Sequence, residues 1–149
     1  MASPLRRTLG LTKTMRELQS LIQDLESPSS SVRDKAALAL MDMGNESAVV
    51  PLLQAISKPE NLNCRGTLVY ALGAFNCEPF LEVLVDLVLT GNFEVSTGAF
   101  SIIEESATSA EAVQRVQRHA QRYSPSTVAA EHQKLALEAL AVFTEAAGE

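Results

Sequence analysis

The feature that most constrains this chain is an internal repeat of about thirty-two residues. Val32-Arg33-Asp34-Lys35-Ala36-Ala37-Leu38-Ala39-Leu40 recurs 32 residues later as Cys64-Arg65-Gly66-Thr67-Leu68-Val69-Tyr70-Ala71-Leu72. A third copy follows at an offset of 31, from Val95 to Ile103, with Ser96 in place of the Arg. A second block repeats in step. Ala48 to Ile56 aligns at an offset of 32 with Phe80 to Val88. Each unit cannot bury its own apolar face, so such copies stack on their neighbours to make one continuous core.

Both blocks carry apolar residues at helical rather than alternating spacing. The unit therefore reads as helix A, a turn, helix B and a Pro-bearing loop. Helix B is apolar on more than one face, as a helix held between neighbours should be. Asn45 is placed to cap the first B helix. Ser31 with Asp34 offers a weaker capping box for the first A helix. Pro28 and Pro59 stop the preceding B helices. The apolar position before each Arg, held by Val32, Cys64 and Val95, is expected to be the buried anchor. Gly66, Gly73 and Gly98 fall inside A helices, which predicts close helix–helix approach there.

The ends are less regular. Met15, Leu18, Leu21, Ile22 and Leu25 form one stripe, which predicts a cap helix over 14–26. Ala112, Val113, Val116 and Ala120 predict a helix over 109–123. A last helix is expected from Ser124, with Pro125 in its first turn. Its buried seam would hold Val128, Leu135, Ala136, Ala139, Leu140 and Phe143. Residues 1–13 read as a flexible basic tail, and 14–147 as a single helical-repeat domain. A transit peptide shares the tail's composition, free of acids and basic among Ser and Thr.

The Arg after the anchor, the Ala-Leu ending, the Pro-Leu-Leu of the B helix and the short period resemble HEAT repeats, in particular the short HEAT-like units of phycobilin lyases. The resemblance covers residues 28–106 well and the rest loosely. It implies an all-α fold: a short right-handed α-α superhelix, armadillo-like, of about three to four helical pairs. It also implies a role in binding, since HEAT-like families include scaffolds, chromophore-lyase subunits, DNA-repair glycosylases and inhibitor or immunity-type binders. In HEAT repeats an Asp before the anchor often pairs with the Arg in a ladder. Here Ser29–Ser31 and Glu60–Asn63 occupy those places, so the ladder is at best partial.

Charge narrows the class of partner. The formal net charge is −6. Between Glu17 and Glu111 there are 14 acids and 4 bases, while bases gather at the two ends. An acidic body repels nucleic acid and anionic membrane and steers cationic surfaces toward itself. Glu82 and Asp86, four apart on the second B helix, share a face that could take a cation or a partner's Lys or Arg. Gln54 lies on the face of the first B helix that lines the groove in related solenoids. Gln54, Glu82 and Asp86 are thus the candidate partner-binding residues.

Arg115, Arg118 and Arg122 form a possible second, basic face, with His119 among them. It would grip phosphate or an acidic partner, or pair within the chain with the acidic body. Nucleic-acid binding through the basic ends is disfavoured, because stacking aromatics are missing and only Tyr123 is close. His119 and His132 lack a metal-ligand spacing and read as surface histidines. Cys64 and Cys77, at opposite ends of a predicted helix, are about 20 Å apart, too far for a disulfide. Reduced thiols fit a cytoplasmic protein. No apolar run is long enough to cross a membrane. No nucleophile elbow, phosphate loop or dinucleotide fingerprint occurs. The expectation is a non-enzymatic protein-interaction module with no cofactor or metal, taking a basic partner and, in its most specific form, of inhibitor or immunity type. The alternatives are an accessory, chromophore-lyase-like subunit of an enzyme and, behind it, a nucleic-acid binder.

Overall fold

The computed structural model describes residues 4–147, and every regular element among them is helical. They form two compact units, one ending at Leu72 and one beginning at Gly73. That boundary falls inside the stretch that the sequence analysis treats as one domain.

The first unit holds α1 (Pro4–Asp24), α2 (Ser30–Met43), α3 (Val49–Ser57) and α4 (Gly66–Leu72). Helix α2 packs on α1 and on α4, and α3 packs on α4. The core gathers Leu25, Ala36, Ala37, Leu40, Leu52, Ile56, Leu68 and Leu72, all buried. Each such Leu or Ile stabilises the fold by roughly 2 kcal/mol relative to an exposed one. The second unit holds α5 (Leu81–Thr90), α6 (Phe93–Ser106), α7 (Ala110–Ala120) and α8 (Glu131–Ala147). Helix α5 is its axis and touches α6, α7 and α8. Six of its ten residues are buried, which is why its sequence is apolar on more than one face.

The repeat is legible in the helices. Both expected B helices form, as α3 and α5. A short 3-10 turn leads into each, at Glu46–Ala48 and Glu78–Phe80. Asn45 caps the first of these turns, accepting from Ser47 N at 2.9 Å. Ser109 caps α7 and Asn92 caps α6 in the usual way, each accepting from the amide three residues on. Helix α2 ends on Gly44, whose φ of 65° lets its amide reach Leu40 O and Met41 O.

Several expectations are corrected. The first helix begins at Pro4 rather than Thr14, and Pro suits the first turn of a helix. Residues 1–3 of the expected tail lie outside the described ones. Met15 is exposed, and only Leu25 of its stripe is fully buried. Ser29 caps α2 in place of Ser31, accepting from Val32 N at 3.4 Å. Gly66 opens α4 and Gly73 follows it, so of these three glycines Gly98 alone is interior to a helix. Cys64 stands outside α4, half-buried rather than buried.

The largest correction concerns the anchor. Of the three expected anchors only Val95 is buried, while Val32 is exposed and Cys64 half-buried; the polar position after each is buried in all three copies: Arg33 is 5% exposed, Arg65 6% and Ser96 3%. A buried donor needs an acceptor. Arg33 Nη1 donates to Ser27 O at 2.7 Å, Arg65 Nη1 to Ile56 O at 3.0 Å, and Ser96 Oγ to Val88 O at 2.7 Å. Each acceptor lies at or just past the end of the preceding helix, where backbone carbonyls lack intrahelical partners. The repeated polar residue is thus an internal C-terminal cap. Burial lowers the pKa of Arg65, because desolvation disfavours its charge.

The last helix starts at Glu131, not after Ser124. Residues 124–127 close a separate turn, in which Ser124 N donates to Thr127 Oγ1 at 2.8 Å. Buried Gln133 fixes the true start. Its Oε1 accepts from Ala129 N and Ala130 N, both at 3.0 Å, as the returning half of a capping box does. Its Nε2 donates to Gly91 O at 2.9 Å, and His132 Nε2 donates to the same oxygen at 2.9 Å. The N-terminus of α8 is therefore tied to the α5–α6 junction. Gly91 has to be small there. A Cβ would lie 2.5 Å from Val95 Cγ1 and 2.6 Å from Leu87 O.

Candidate functional site

Gln54 is exposed on α3, in the first unit. Glu82 and Asp86 project one turn apart from α5, in the second. The helical spacing of four brings both carboxylates onto one face, as the sequence implies. Helix α7 and the turn that follows it lie along that face and carry a matching series, Arg115 and His119 on the helix and Tyr123 just past its end, also spaced by four.

The two series interlock. Arg115 grips Glu82 in a fork, with Nε donating to Oε1 at 2.8 Å and Nη2 to Oε2 at 2.7 Å. Planar bidentate pairing of this kind is the strong form of an ion pair. The hydrogen bonds from Arg115 hold the Glu82 carboxyl well below the usual carboxylate range, at about 2, against a smaller opposing effect of burial. The same contact raises the pKa of Arg115. One turn on, His119 Nε2 donates to Asp86 Oδ1 at 2.8 Å, and Tyr123 Oη donates to that oxygen at 2.5 Å. Burial first, and donation to Asp86 second, push the Tyr123 hydroxyl up to about 12.

The basic stripe is therefore divided. Arg115 turns to α5, while Arg118 and Arg122 stay exposed and enter no ion pair among the described residues. His119 is not the surface histidine that the sequence suggests; its side chain is largely covered beside Asp86. His132 is likewise half-buried on Gly91 O. Sequence reasoning passed over Tyr123 except as an isolated aromatic. A signal was present, because Glu82 to Arg115 and Asp86 to His119 share one offset of 33 residues.

What this arrangement can do is hold charge in place. The Asp86 side chain remains 46% exposed, and among the described residues only Oδ1 is engaged. A single oxygen fixed by two donors leaves the other directed by the same geometry. Among the described residues no group of three or more His, Cys, Asp or Glu could hold a metal ion. No helix among them is long and apolar enough to cross a membrane.

No curated protein matches the chain. A family model described as HEAT repeats matches residues 18–103, more than half of its length.

Proposed function

The chain belongs to the HEAT-repeat family, and from that premise we propose that it is a non-enzymatic module that binds a protein partner with a basic surface. HEAT repeats generally mediate protein–protein interaction, and the family is typically a non-catalytic scaffold. In this reading Glu82 and Asp86 are the contacts of the second unit and Gln54 is the contact of the first. The observation that carries it is the state of Asp86, a carboxylate part-exposed yet oriented by His119 and Tyr123. A charge already fixed in place loses little side-chain freedom when a Lys or Arg docks on it. Glu82 contributes less, since Arg115 offsets its charge.

The surrounding charge supports the same partner. From Gly73 onward the sequence holds eleven acids and four bases, a balance that speeds encounter with a cationic surface. In its most specific form the module is an inhibitor or immunity-type protein that covers a basic enzyme surface, and the captured enzyme would then lose activity on binding.

Affinity capture with mass spectrometry, run at low and at moderate ionic strength, tests the proposal. Basic proteins should be retained at low salt, released at moderate salt, and lost with Asp86→Lys. Retention of acidic or neutral proteins that ignores both salt and Asp86→Lys would sink it.

A further inference from the structure

Leu135 is expected in the buried seam of α8, yet it is 65% exposed, and Phe93 on α6 is 68% exposed. The two are not isolated. They border a shallow cavity of about 380 Å³ between α6 and α8, floored by Phe100, Ala136 and Ala139. The helices run in the same direction along it. Phe93 meets His132 near both N-termini, edge to face at 6.0 Å, and Phe100 meets Phe143 further along at 6.4 Å. A furrow between two parallel helices is the shape into which the ridge of a third helix fits. The lining runs from Phe93 to Ser101 on α6 and from His132 to Ala139 on α8, so the furrow is about 12 Å long, roughly two turns of a partner helix.

The rim states the chemistry of that helix. Glu131 and Glu138 stand one turn to either side of Leu135, and Glu104 stands one turn beyond Phe100. All three are exposed. Lys134 is tied to Glu131 at 3.0 Å and offsets its charge, so Glu104 and Glu138 carry the net negative charge of the rim. An apolar floor with an acidic rim complements a helix that is apolar on one face and Lys- or Arg-rich beside it. The same surface of a second copy would bring these acids against their own kind, which disfavours self-association.

We propose that the α6–α8 furrow is a docking site for a basic amphipathic helix of a partner protein. This gives the protein-binding reading a second surface, one that does not use Asp86, and the two can fail separately.

The probe is a fluorescent eighteen-residue peptide with leucines at i, i+3, i+4 and i+7 and lysines elsewhere, followed by anisotropy with the full chain. A peptide of the same pattern with glutamates serves as the comparison. The lysine peptide should bind at least tenfold more tightly than the glutamate one. Phe93→Ser/Leu135→Gln should weaken it at least tenfold, with helix content by circular dichroism unchanged, as expected for exposed side chains. Equal binding of both peptides, or binding that ignores Phe93→Ser/Leu135→Gln, overturns the proposal. Loss of binding on Asp86→Asn alone would also overturn it, while favouring the α5 surface. A dimer in sedimentation that Leu135→Gln dissolves would show that a second copy covers the furrow, and would overturn it too.

Discussion

Arg33, Arg65 and Ser96 occupy one position of the repeat and do one job, donating to a carbonyl that the preceding helix leaves open. The long guanidinium and the short hydroxyl reach the same kind of acceptor because the preceding helix ends at different distances. Arg65→Met should therefore cost about 1.5–3 kcal/mol, the range for a lost hydrogen bond from a charged donor, whereas Ser96→Ala should cost about 1 kcal/mol. Urea unfolding of the two variants measures both. The position was visible in the sequence as a recurring Arg, but its burial was not, since Arg is seldom fully buried. The hint lies in Ser96. A site that exchanges Arg for Ser serves hydrogen bonding rather than charge. Gly91 makes a second case at this scale. Gly91→Ala pushes a methyl group into Val95 and the Leu87 carbonyl, and overpacking of this kind should cost about 1–3 kcal/mol in the same assay.

Helices α5 and α7 are joined by apolar packing and by the Glu82–Arg115 and Asp86–His119–Tyr123 contacts. These contacts make stability depend on pH in windows that their direction fixes. Glu82 titrates lower in the folded chain, at about 2, than when unfolded. Its contribution is present above about pH 4.5 and is lost as pH falls through 2. Tyr123 titrates higher when folded, at about 12. Its contribution holds below about pH 10 and is lost as pH rises through 12. Denaturation midpoints across both ranges should show the two declines. Glu82→Gln should flatten the acid one and Tyr123→Phe the alkaline one. At this scale the sequence was partly readable. Arg115, Arg118 and Arg122 form one basic stripe on a helical wheel. Only the acids waiting on α5 decide that 115, 119 and 123 turn inward. The start of α8 was hidden for a similar reason. Pro125 suggests an early first turn, but the hydrogen bonds from Gln133 and His132 to Gly91 O are tertiary and leave no local trace.

Over the whole chain, the class of fold was legible because a period near 32 residues with helical apolar spacing admits few alternatives. The acidic balance of the chain was legible too, since it follows from counting residues. What composition could not reveal is which apolar side chains stay uncovered. Leu135 shares its sequence pattern with Leu140, yet one is exposed and the other buried, because α5, α6 and α7 cover only part of α8. The central claim is that this HEAT-repeat chain recognises a basic protein surface through fixed acidic groups. Its most direct test is the association rate with the captured partner as a function of ionic strength. Electrostatic steering predicts a rate that falls steeply as salt rises, and falls further with Asp86→Lys, while dissociation changes less. An association rate indifferent to both would contradict the claim.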